Sequence, residues 1–358
     1  MKVIIAGGGT GGHLFPGIAI AEEFLKRDRG SNILFIGTER GLEKRVLGDL
    51  GFKLATLDVE GIKGKGLMKA IRASMKIPGS LVQSFRLIRE FCPNIVIGVG
   101  GYSSGPVVIA AHFMGIKTAV AEQNALPGIT NRILGKFVDR IFLTFSESKK
   151  WFPGKKAFVS GNPVRAAFLT GSEEVRKDTG KFTMLIFGGS QGAHAINKAV
   201  MDALPHLEWI KDNLKIVHQT GGTDLQIVSE AYRSKAFAAE VLPFITDMAQ
   251  AYRNSDLLIC RAGATSIAEV TACGKAVILI PFPYAANDHQ TKNAEALVKA
   301  GAAVLIREAD LDGRKLAEVI GHFYRFPKLL REMEAKSANL GNKKASSDIV
   351  DFCIGMIE

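Results

Sequence analysis

The chain has 358 residues, of which 47% are hydrophobic and 23% are charged, and its formal net charge is +11. This length suits two α/β domains, and the composition can fill two cores, which excludes a mostly disordered protein. No apolar run approaches the ~20 residues that a membrane-spanning helix needs, so we expect a soluble chain.

The excess positive charge lies entirely in the first half of the chain. Residues 1–164 contain 23 Lys and Arg against 12 Asp and Glu, whereas residues 165–358 contain 23 of each. This asymmetry predicts an anionic partner for the first half, either nucleic acid, a phosphorylated substrate or an acidic lipid surface. Nucleic acid is disfavoured because only five Tyr and two Trp are available to interleave with the basic residues.

The cysteines carry no sign of a metal or disulfide framework. Cys92, Cys260, Cys273 and Cys353 are scattered and form no CxxC pair. This spacing fits a reducing cytosol. We expect no metal site and no cofactor.

Four short apolar runs end in glycines or other small residues and lead into a helix-like pattern. Continuous apolar strands that alternate with helices are typical of parallel sheets covered on both faces. The pattern restarts near residue 182, after the turn-rich stretch 160–165 where the charge balance also changes. We therefore predict two doubly wound α/β domains that face each other across a cleft, residues 1–163 and 164–342. The four runs are Val3–Ala6, Ile95–Val99, Met184–Phe187 and Leu257–Cys260.

The first loop, Gly7-Gly-Gly-Thr-Gly-Gly-His13, contains a GxGxxG pattern. Glycines let backbone N–H groups approach a pyrophosphate at the amino end of a helix, which we predict to begin near Pro16. A tight turn without a ligand is the structural alternative. A nicotinamide site is disfavoured because the predicted second strand, Ile33–Ile36, does not end in an acidic residue. His13 at the loop exit can act as a general base, or it can simply orient the loop.

Two loops in the second half allow both a functional and a structural interpretation. In Gly188–Gly192, the Ser190 hydroxyl can bind a phosphate oxygen, or the loop can be a plain turn. The pair Ser266 and Glu269 fits a capping box. Alternatively, the Glu269 carboxylate accepts two hydrogen bonds from a ribose diol.

A basic amphipathic helix is predicted near residue 70. Its apolar face would carry Leu67, Ile71 and Met75, and its basic face Lys69, Arg72 and Lys76. The structural alternative is a stripe that faces the core. The functional alternative is contact with an anionic membrane surface, to which each basic residue contributes ~1 kcal/mol. A second segment, with Leu81, Phe85 and Ile88 beside Arg86 and Arg89, continues the pattern.

Together these motifs resemble the bacterial UDP-N-acetylglucosamine–N-acetylmuramyl-(pentapeptide) pyrophosphoryl-undecaprenol N-acetylglucosamine transferases. The matching stretches run in order through nearly the whole chain, and the ordered set is specific to this family. They are Gly7–Pro16, Gly100–Pro106, Glu122–Asn124, Gly161–Arg165, Gly188–Ala193, Arg261–Ala264 with Glu269, and Pro281–Phe282 with Asp288–Gln290.

The resemblance implies the GT-B fold, with two facing Rossmann-like domains and a C-terminal helix (about 343–358) that returns to the first domain. It implies that UDP-N-acetylglucosamine binds mainly to the second domain, with Ile245 contacting uracil through its backbone and Glu269 holding the ribose. One departure is Ala262, where the family often has Ser. The implied donor-binding residues are Thr10, Gly11, Gly12, Asn124, Arg165, Ser190, Ile245, Ala264, Thr265, Ser266, Glu269 and Gln290.

The implied acceptor is a polyprenyl-pyrophosphate-linked muramyl-pentapeptide at the cytoplasmic face of the cell membrane. The implied reaction inverts the sugar configuration, with His13 or, less favoured, Glu122 as the base that activates the acceptor 4-hydroxyl. Because no DxD pair is present, we expect helix amino ends, Ser190 and Arg165 to stabilise the departing UDP in place of a metal. The implied loops for the acceptor diphosphate contain Gly9, Gly100, Gly101, Tyr102 and Ser103.

Two other enzyme classes remain as alternatives. A UDP-sugar epimerase uses the same two-domain scaffold and needs no lipid acceptor. A nicotinamide-dependent oxidoreductase would use the first glycine loop. The fold by itself does not choose among these activities.

Overall fold

The structure, a computed structural model, describes residues 1–38, 43–59, 67–170 and 180–358; in its helices, the side chains of residues 43, 45, 67–77 and 286 lie outside that description. The chain divides into two compact units. Unit 1 consists of residues 1–166 and 342–358, and unit 2 consists of residues 167–341.

Within the residues that the structure describes, unit 1 is built on a seven-stranded parallel sheet with five α-helices from the first stretch of the chain. The strands are β1 (Lys2–Gly7), β2 (Asn32–Thr38), β3 (Lys53–Leu57), β4 (Ile95–Gly100), β5 (Lys117–Glu122), β6 (Arg140–Leu143) and β7 (Ala157–Val159), in the spatial order β3-β2-β1-β4-β5-β6-β7. The helices are α1 (Gly11–Arg27), α2 (Glu43–Asp49), α3 (Leu67–Phe91), α4 (Ser104–Phe113) and α5 (Ile129–Leu134), and a 3₁₀ helix follows at Ser146–Trp151.

Alternate residues of β1 show how both faces of this sheet are covered. Val3 and Ile5 lie in one core cluster together with Ile18 of α1. Ile4 and Ala6 lie in the other cluster together with Val107 of α4. Because successive side chains of a strand point to opposite faces, a strand between two helical layers must be apolar at every position.

Unit 2 repeats this plan with a six-stranded parallel sheet. Its strands are β8 (Phe182–Phe187), β9 (Leu214–Gln219), β10 (Ala239–Leu242), β11 (Leu257–Cys260), β12 (Ala276–Leu279) and β13 (Val304–Leu305), in the order β10-β9-β8-β11-β12-β13. Its helices are α6 (Ala166–Leu169, which starts at the last residue of unit 1), α7 (His194–Ala203), α8 (Leu225–Ser234), α9 (Met248–Arg253), α10 (Ala264–Ala272), α11 (His289–Lys299), α12 (Gly313–Arg325) and α13 (Pro327–Leu340), with 3₁₀ helices at Leu204–Asn213, Ala286–Asp288 and Glu308–Asp310.

Both sheets reverse their strand order at one point. In unit 1 this switch point lies between β1 and β4, and in unit 2 it lies between β8 and β11. In open parallel sheets, ligands bind outside the carboxyl ends of the strands at this point. All four predicted glycine or small-residue loops follow one of these four strands, and the predicted class of two Rossmann-like doubly wound domains is confirmed.

The chain returns to unit 1 through a final helix, α14 (Ala345–Ile357). Ile349, Val350 and Cys353 are fully buried in the same core cluster as α1. Phe352 adds a ring contact, with its centroid 4.5 Å from that of Phe158 on β7. This helix is therefore part of the unit 1 core.

One local prediction is corrected, and one open alternative is decided. Helix α1 begins at Gly11 and not near Pro16, which lies in the second turn of the helix. Gly11 and Gly12 adopt helical geometry, and Pro16 removes only one hydrogen bond inside the helix. In α3, Ile88 is fully buried in the core of unit 1, so the core-facing alternative holds for the stripe around it.

The predicted membrane-facing side chains lie outside the described residues. Helix α3 includes their backbone, but the side chains of Leu67, Lys69, Ile71, Arg72, Met75 and Lys76 do not belong to the described part. Among the helices that are described, none is long and apolar enough to cross a membrane.

Candidate functional site

In unit 1, the loops after β1 and β4 pack directly against each other through glycines. A Cβ atom on Gly7 would lie 2.5 Å from the Gly100 carbonyl oxygen, and one on Gly101 would lie 2.5 Å from that of Gly8. Gly9, Gly100 and Gly101 also have positive φ angles of 89°, 94° and 85°. Only glycine satisfies both demands, so two glycine-rich backbones meet at the switch point.

His13 is held in the first turn of α1 with one ring nitrogen directed into the protein. Its Nδ1 lies 3.1 Å from the Val99 carbonyl oxygen and 3.3 Å from Oε1 of Gln123. The Gln123 amide is oriented because its NH₂ group donates to the Ala121 carbonyl. Both neighbours of Nδ1 are therefore acceptors, which places the proton on Nδ1 and the lone pair on Nε2.

Glu122 ends β5 and is almost completely buried. One carboxylate oxygen accepts from the backbone N–H and the side-chain amide of Asn124, at 2.9 and 3.3 Å. The other accepts from the Gly128 N–H and the Asn131 amide, both at 3.0 Å. Four donors surround the carboxylate, which organises the loop that carries Asn124. The alternative role of Glu122 as a base stays a prediction.

The other predicted residues of unit 1 surround the amino ends of α1 and α4. Thr10 is the exposed N-cap residue of α1, and Tyr102 is half exposed before α4. Ser103 is buried, and its hydroxyl makes no hydrogen bond to any residue that the structure describes. The Arg165 guanidinium stacks over the Phe15 ring at 4.1 Å. Gly9 and Gly12 are exposed and Gly11 is half-buried.

In unit 2, the loop after β8 has the same backbone-to-backbone character. Gly189 and Gly192 have φ angles of 100° and 76°. A Cβ on Gly192 would collide with the Thr220 carbonyl, and one on Gly221 would collide with the Gln191 carbonyl. Ser190 is exposed in this loop, four residues before α7 begins at His194. The loop after β8 therefore packs closely, backbone against backbone, on the segment that follows β9.

Gln219, the last residue of β9, joins two predicted donor-binding segments. Its side-chain NH₂ donates to the Gly189 carbonyl at 2.8 Å, and its Oε1 accepts from the Ile245 N–H at 2.7 Å. The side chain is buried. Sequence reasoning missed this residue. The available signal was a further strand-to-glycine pattern, in which the apolar run before His218 leads into Gln219 and Gly221-Gly222.

The amino end of α10 shows that one of the two interpretations of Ser266 and Glu269 is wrong. The helix begins at Ala264 with Gly263 as its N-cap residue, so Ser266 lies inside the first turn and cannot cap the helix. The capping-box interpretation of Ser266 and Glu269 is therefore wrong. Glu269 is 6% exposed, and Ala264 and Thr265 are also buried. The predicted contact of Glu269 with a ribose stays a prediction.

The loop after β12 is fixed by two side chains. Gln290 of α11 accepts a hydrogen bond from the Phe282 N–H at 3.0 Å. Arg261 donates to the carbonyls of Ile280 and Pro281 at 3.2 Å and pairs with Glu308. Arg261 thus shapes the same segment that Gln290 contacts, a role that the sequence did not suggest.

A buried network of hydrogen bonds holds the segment that follows β9, on which the loop after β8 packs. His218 accepts from the Tyr232 hydroxyl at 2.9 Å and donates to Asn197 Oδ1 at 3.1 Å. Asn197 donates to Asp224 at 2.8 Å and to the Thr220 carbonyl at 2.9 Å. Burial lowers the pKa of His218 to about 3, so the ring is neutral. Burial opposes ionisation of Asp224, but hydrogen bonds from Asn197 and His194 hold its pKa below the usual value.

Within the part of the chain that the structure describes, no three His, Cys, Asp or Glu side chains gather into a group that could hold a metal ion.

Two family models match the chain, one for each unit. The glycosyltransferase family 28 N-terminal domain matches residues 3–143, and the family 28 C-terminal domain matches residues 183–350. Among curated relatives, the UDP-N-acetylglucosamine–N-acetylmuramyl-(pentapeptide) pyrophosphoryl-undecaprenol N-acetylglucosamine transferase of Syntrophus aciditrophicus is 64% identical over 357 residues and covers 100% of this chain and 99% of its own. The protein of the same name from Myxococcus xanthus is 48% identical, with 100% and 93% covered.

Solved structures agree with these matches. MurG from Acinetobacter baumannii superposes with a TM-score of 0.78 at 31% identity and covers 99% of each chain. The UDP-GlcNAc 2-epimerase from Neisseria meningitidis bound to UDP-GlcNAc superposes with a TM-score of 0.71 at 15% identity, covering 99% of this chain and 100% of its own. At that identity, the likeness to the epimerase concerns the fold alone.

Proposed function

The chain belongs to glycosyltransferase family 28, and from this membership we propose that it transfers N-acetylglucosamine from UDP-N-acetylglucosamine to the muramyl unit of undecaprenyl-pyrophosphoryl-N-acetylmuramyl-pentapeptide. The observation that carries the proposal is the 64% identity, over the whole chain, to a relative that bears this activity in its name. The predicted motifs at both switch points support it independently.

Unit 2 holds the donor in this proposal. The amino ends of α7 and α10, together with the Ser190 hydroxyl, bind the diphosphate because the helix dipole and the N–H groups of a first turn favour negative charge. The backbone of Ile245 contacts uracil and Glu269 accepts hydrogen bonds from the ribose. Gln290, in the first turn of α11, belongs to the same proposed set of donor contacts.

Unit 1 activates the acceptor. The diphosphate of the lipid-linked sugar binds at the amino ends of α1 and α4, where the glycine loops expose backbone N–H groups. Nε2 of His13 carries the lone pair and takes the proton from the 4-hydroxyl. The oxygen then bonds to the anomeric carbon as the bond to UDP breaks, which inverts the configuration and releases UDP with the bonding electrons. Arg165 offsets part of this charge.

The acceptor carries a prenyl chain that stays in the bilayer, so we propose that the enzyme acts peripherally at the cytoplasmic face of the membrane. A surface of unit 1 supports this association. Phe113, Ile129 and Ile133 are 69%, 56% and 53% exposed, although all three are large and apolar. Exposed basic residues adjoin them in the chain, and the Arg132 guanidinium stacks on the half-exposed Trp151 ring at 4.2 Å. Apolar side chains surrounded by positive charge suit an anionic membrane interface.

A transfer assay with labelled UDP-N-acetylglucosamine tests the proposed function. We expect label to appear in the prenyl-linked product only when the muramyl acceptor is present, with release of one UDP per transfer. Isomerisation of the donor without acceptor would instead identify an epimerase. Saturable binding of NADH with loss of transfer would identify an oxidoreductase. The absence of labelled lipid at saturating substrates would contradict the proposal.

A further inference from the structure

A cavity of about 410 Å³ opens on the surface of unit 2, between α12 and the 3₁₀ helix Leu204–Asn213. Trp209 lines it from the 3₁₀ helix, and Gly321 and Arg325 line it from α12. Phe326, directly after α12, also belongs to the lining. The proposed transfer reaction uses none of these residues.

Ring contacts connect this cavity to the amino edge of the unit 2 sheet. Trp209 packs edge to face on Tyr324, with ring centroids 5.7 Å apart, and Tyr324 packs in the same way on Phe182 at 5.8 Å. Phe182 is the first of the six residues of β8, which span about 20 Å. The proposed donor residues follow the carboxyl ends of the strands. The cavity is therefore separate from the proposed donor site.

Trp209 is held in place although 51% of it is exposed. A Cβ on Gly321 would lie 3.2 Å from Cζ2 of the indole, so the missing side chain lets the ring approach α12 closely. The Arg325 guanidinium stacks over the indole, 4.4 Å from the ring centroid. Fixed, exposed aromatic rings are typical of protein interfaces, because they bury a large area with little loss of conformational freedom.

The charge around the cavity favours an anionic partner. Arg314 pairs with Glu318, so the acidic side chain of the lining already has a basic partner. Arg325 forms no ion pair with any residue that the structure describes, and its stacking on Trp209 orients the guanidinium plane. An oriented guanidinium binds a carboxylate through two parallel hydrogen bonds.

Exposed apolar side chains extend beyond the cavity and favour a protein over a small anion. Phe326 is 51% exposed, and its ring lies 5.0 Å from that of His322. Leu329, in the first turn of α13, is also exposed. A small anion would leave these side chains in water, whereas a protein segment can cover them. A second copy of this chain is disfavoured because its net charge is +11.

We propose that this surface of unit 2 docks an acidic segment of a partner protein, in which a carboxylate pairs with Arg325 and an apolar side chain packs on Trp209 and Phe326. The proposal does not depend on the transfer reaction. Because the surface lies at the amino edge of the sheet, the partner and the sugar donor bind at the same time.

Selection of peptides on the full-length protein tests the proposal. A displayed library of random peptides is bound to the protein, and the retained peptides are sequenced. We expect them to be enriched in Asp and Glu together with an aromatic or large aliphatic residue, and to bind more weakly at high salt. In a Trp151→Phe background, Trp209 is the remaining tryptophan, so its emission should change when a selected peptide binds.

Substitutions connect this binding to the surface. Arg325→Glu should weaken the binding of the selected peptides at least about tenfold, because it replaces the partner of the carboxylate by a repelling charge. Phe326→Ser should weaken it as well, since the apolar contact is lost. Arg233→Glu is the matched control and should bind like the wild type. Arg233 is also exposed and also lies in the last turn of a unit 2 helix, α8.

Several outcomes would overturn the proposal. One is a set of selected peptides without an excess of acidic residues, or with equal affinity for Arg325→Glu and the wild type. Displacement of the peptides by UDP would place them at the donor site, and displacement by inorganic phosphate would assign the cavity to a small anion. A dimer of the wild type that Arg325→Glu abolishes would assign the surface to a second copy. If Arg325→Glu does not fold, unchanged binding to Phe326→Ser overturns the proposal.

Discussion

The imidazole of His13 is set up by its surroundings before any substrate is present. Val99 and Gln123 both present oxygen acceptors to Nδ1, and the side-chain amide of Gln123 is itself oriented by a backbone carbonyl. Nδ1 is therefore the ring nitrogen that carries the proton and faces the protein. Nε2 is the nitrogen that makes neither of these contacts and can accept a proton. A neutral imidazole in this tautomer is the form that a general base requires.

Replacement of His13 by Ala tests this role directly. We expect turnover to fall by about 10²- to 10⁴-fold, because the acceptor hydroxyl loses its proton acceptor. Affinity for UDP should stay within about twofold, since the proposed contacts to the uracil and ribose of UDP lie in unit 2. His206→Ala, at an exposed position of unit 2, is the control and should have normal turnover. Unchanged turnover in His13→Ala would eliminate this base and favour Glu122.

From the lowered pKa of His218, we predict that the free energy of unfolding of unit 2 depends on pH. Its pKa is about 3 in the folded protein and about 6.5 in an unfolded chain, so between these two pH values the unfolded state takes up a proton and the folded state does not. The contribution to stability is complete above pH 6.5 and is lost as the pH falls, by up to about 1.4 kcal/mol per pH unit. Between pH 6.5 and 5.0, unit 2 should lose about 2 kcal/mol through this residue.

Urea unfolding measures this effect. The chain has two tryptophans, Trp151 in unit 1 and Trp209 in unit 2, so a Trp151→Phe background reports on unit 2 alone. In that background, His218→Gln should show a flatter dependence of the unfolding free energy on pH. Equal slopes with and without His218 would show that its burial does not govern acid stability.

At the scale of structural elements, the close packing of the two glycine loops of unit 1 can be tested by one substitution. Gly100→Ala would place a Cβ 2.6 Å from Nδ1 of His13 at a φ of 94°, so it should displace the ring as well as strain the backbone. We expect at least a tenfold loss of turnover and a loss of about 1–3 kcal/mol in stability.

Gly115→Ala is the matched control for backbone strain. Gly115 has a φ of 71°, but a Cβ there meets no atom within 4 Å. The two variants share the conformational cost, and only one of them reaches His13. Equal turnover in both would mean that the close approach of Gly100 to His13 has no catalytic consequence.

The elements that the sequence predicted well depend on local patterns. The runs Val3–Ala6 and Leu257–Cys260 are strands because a doubly covered sheet requires apolar residues at each position. Glycines directly after the strands then indicate the loops. These two signals were enough to predict the doubly wound class, and the family motifs supplied the activity.

What the sequence did not predict depends on contacts between distant residues or on competing local preferences. Gln219 bridges partners that no periodicity connects, so its role appears only in three dimensions. The pattern around Ser266 fits a capping box, yet Gly263, three residues earlier, takes the cap position and the helix begins at Ala264. A proline usually indicates the first turn of a helix, but α1 already begins at Gly11, more than one turn before Pro16.

At the scale of the whole molecule, the charge of the first half predicts electrostatic binding to lipid. We expect the protein to sediment with vesicles that contain anionic lipid and to be released at high salt, because screening weakens the attraction of its basic residues. Equal sedimentation with neutral vesicles would contradict the electrostatic part of the proposal.

Apolar contact with the bilayer is a separate prediction. The double variant Phe113→Ser and Ile133→Ser should bind anionic vesicles at least about tenfold more weakly, since a buried large apolar side chain contributes ~1.5–3 kcal/mol. Ile227→Ser is the control, because Ile227 is 54% exposed but belongs to unit 2. If control and double variant lose affinity equally, the surface of unit 1 is not the one that meets lipid.

The return of α14 to unit 1 has a consequence for how the protein is made. Ile349, Val350 and Cys353 complete a core whose other members come from the first stretch of the chain, and all of unit 2 is translated between them. During translation, the apolar surface of α1 that α14 covers in the folded protein therefore stays exposed. Meanwhile the second unit, a continuous stretch of chain, is synthesised and can fold. The unit that is translated first therefore completes its core last. Until then, we expect its exposed apolar surface to be a binding site for chaperones.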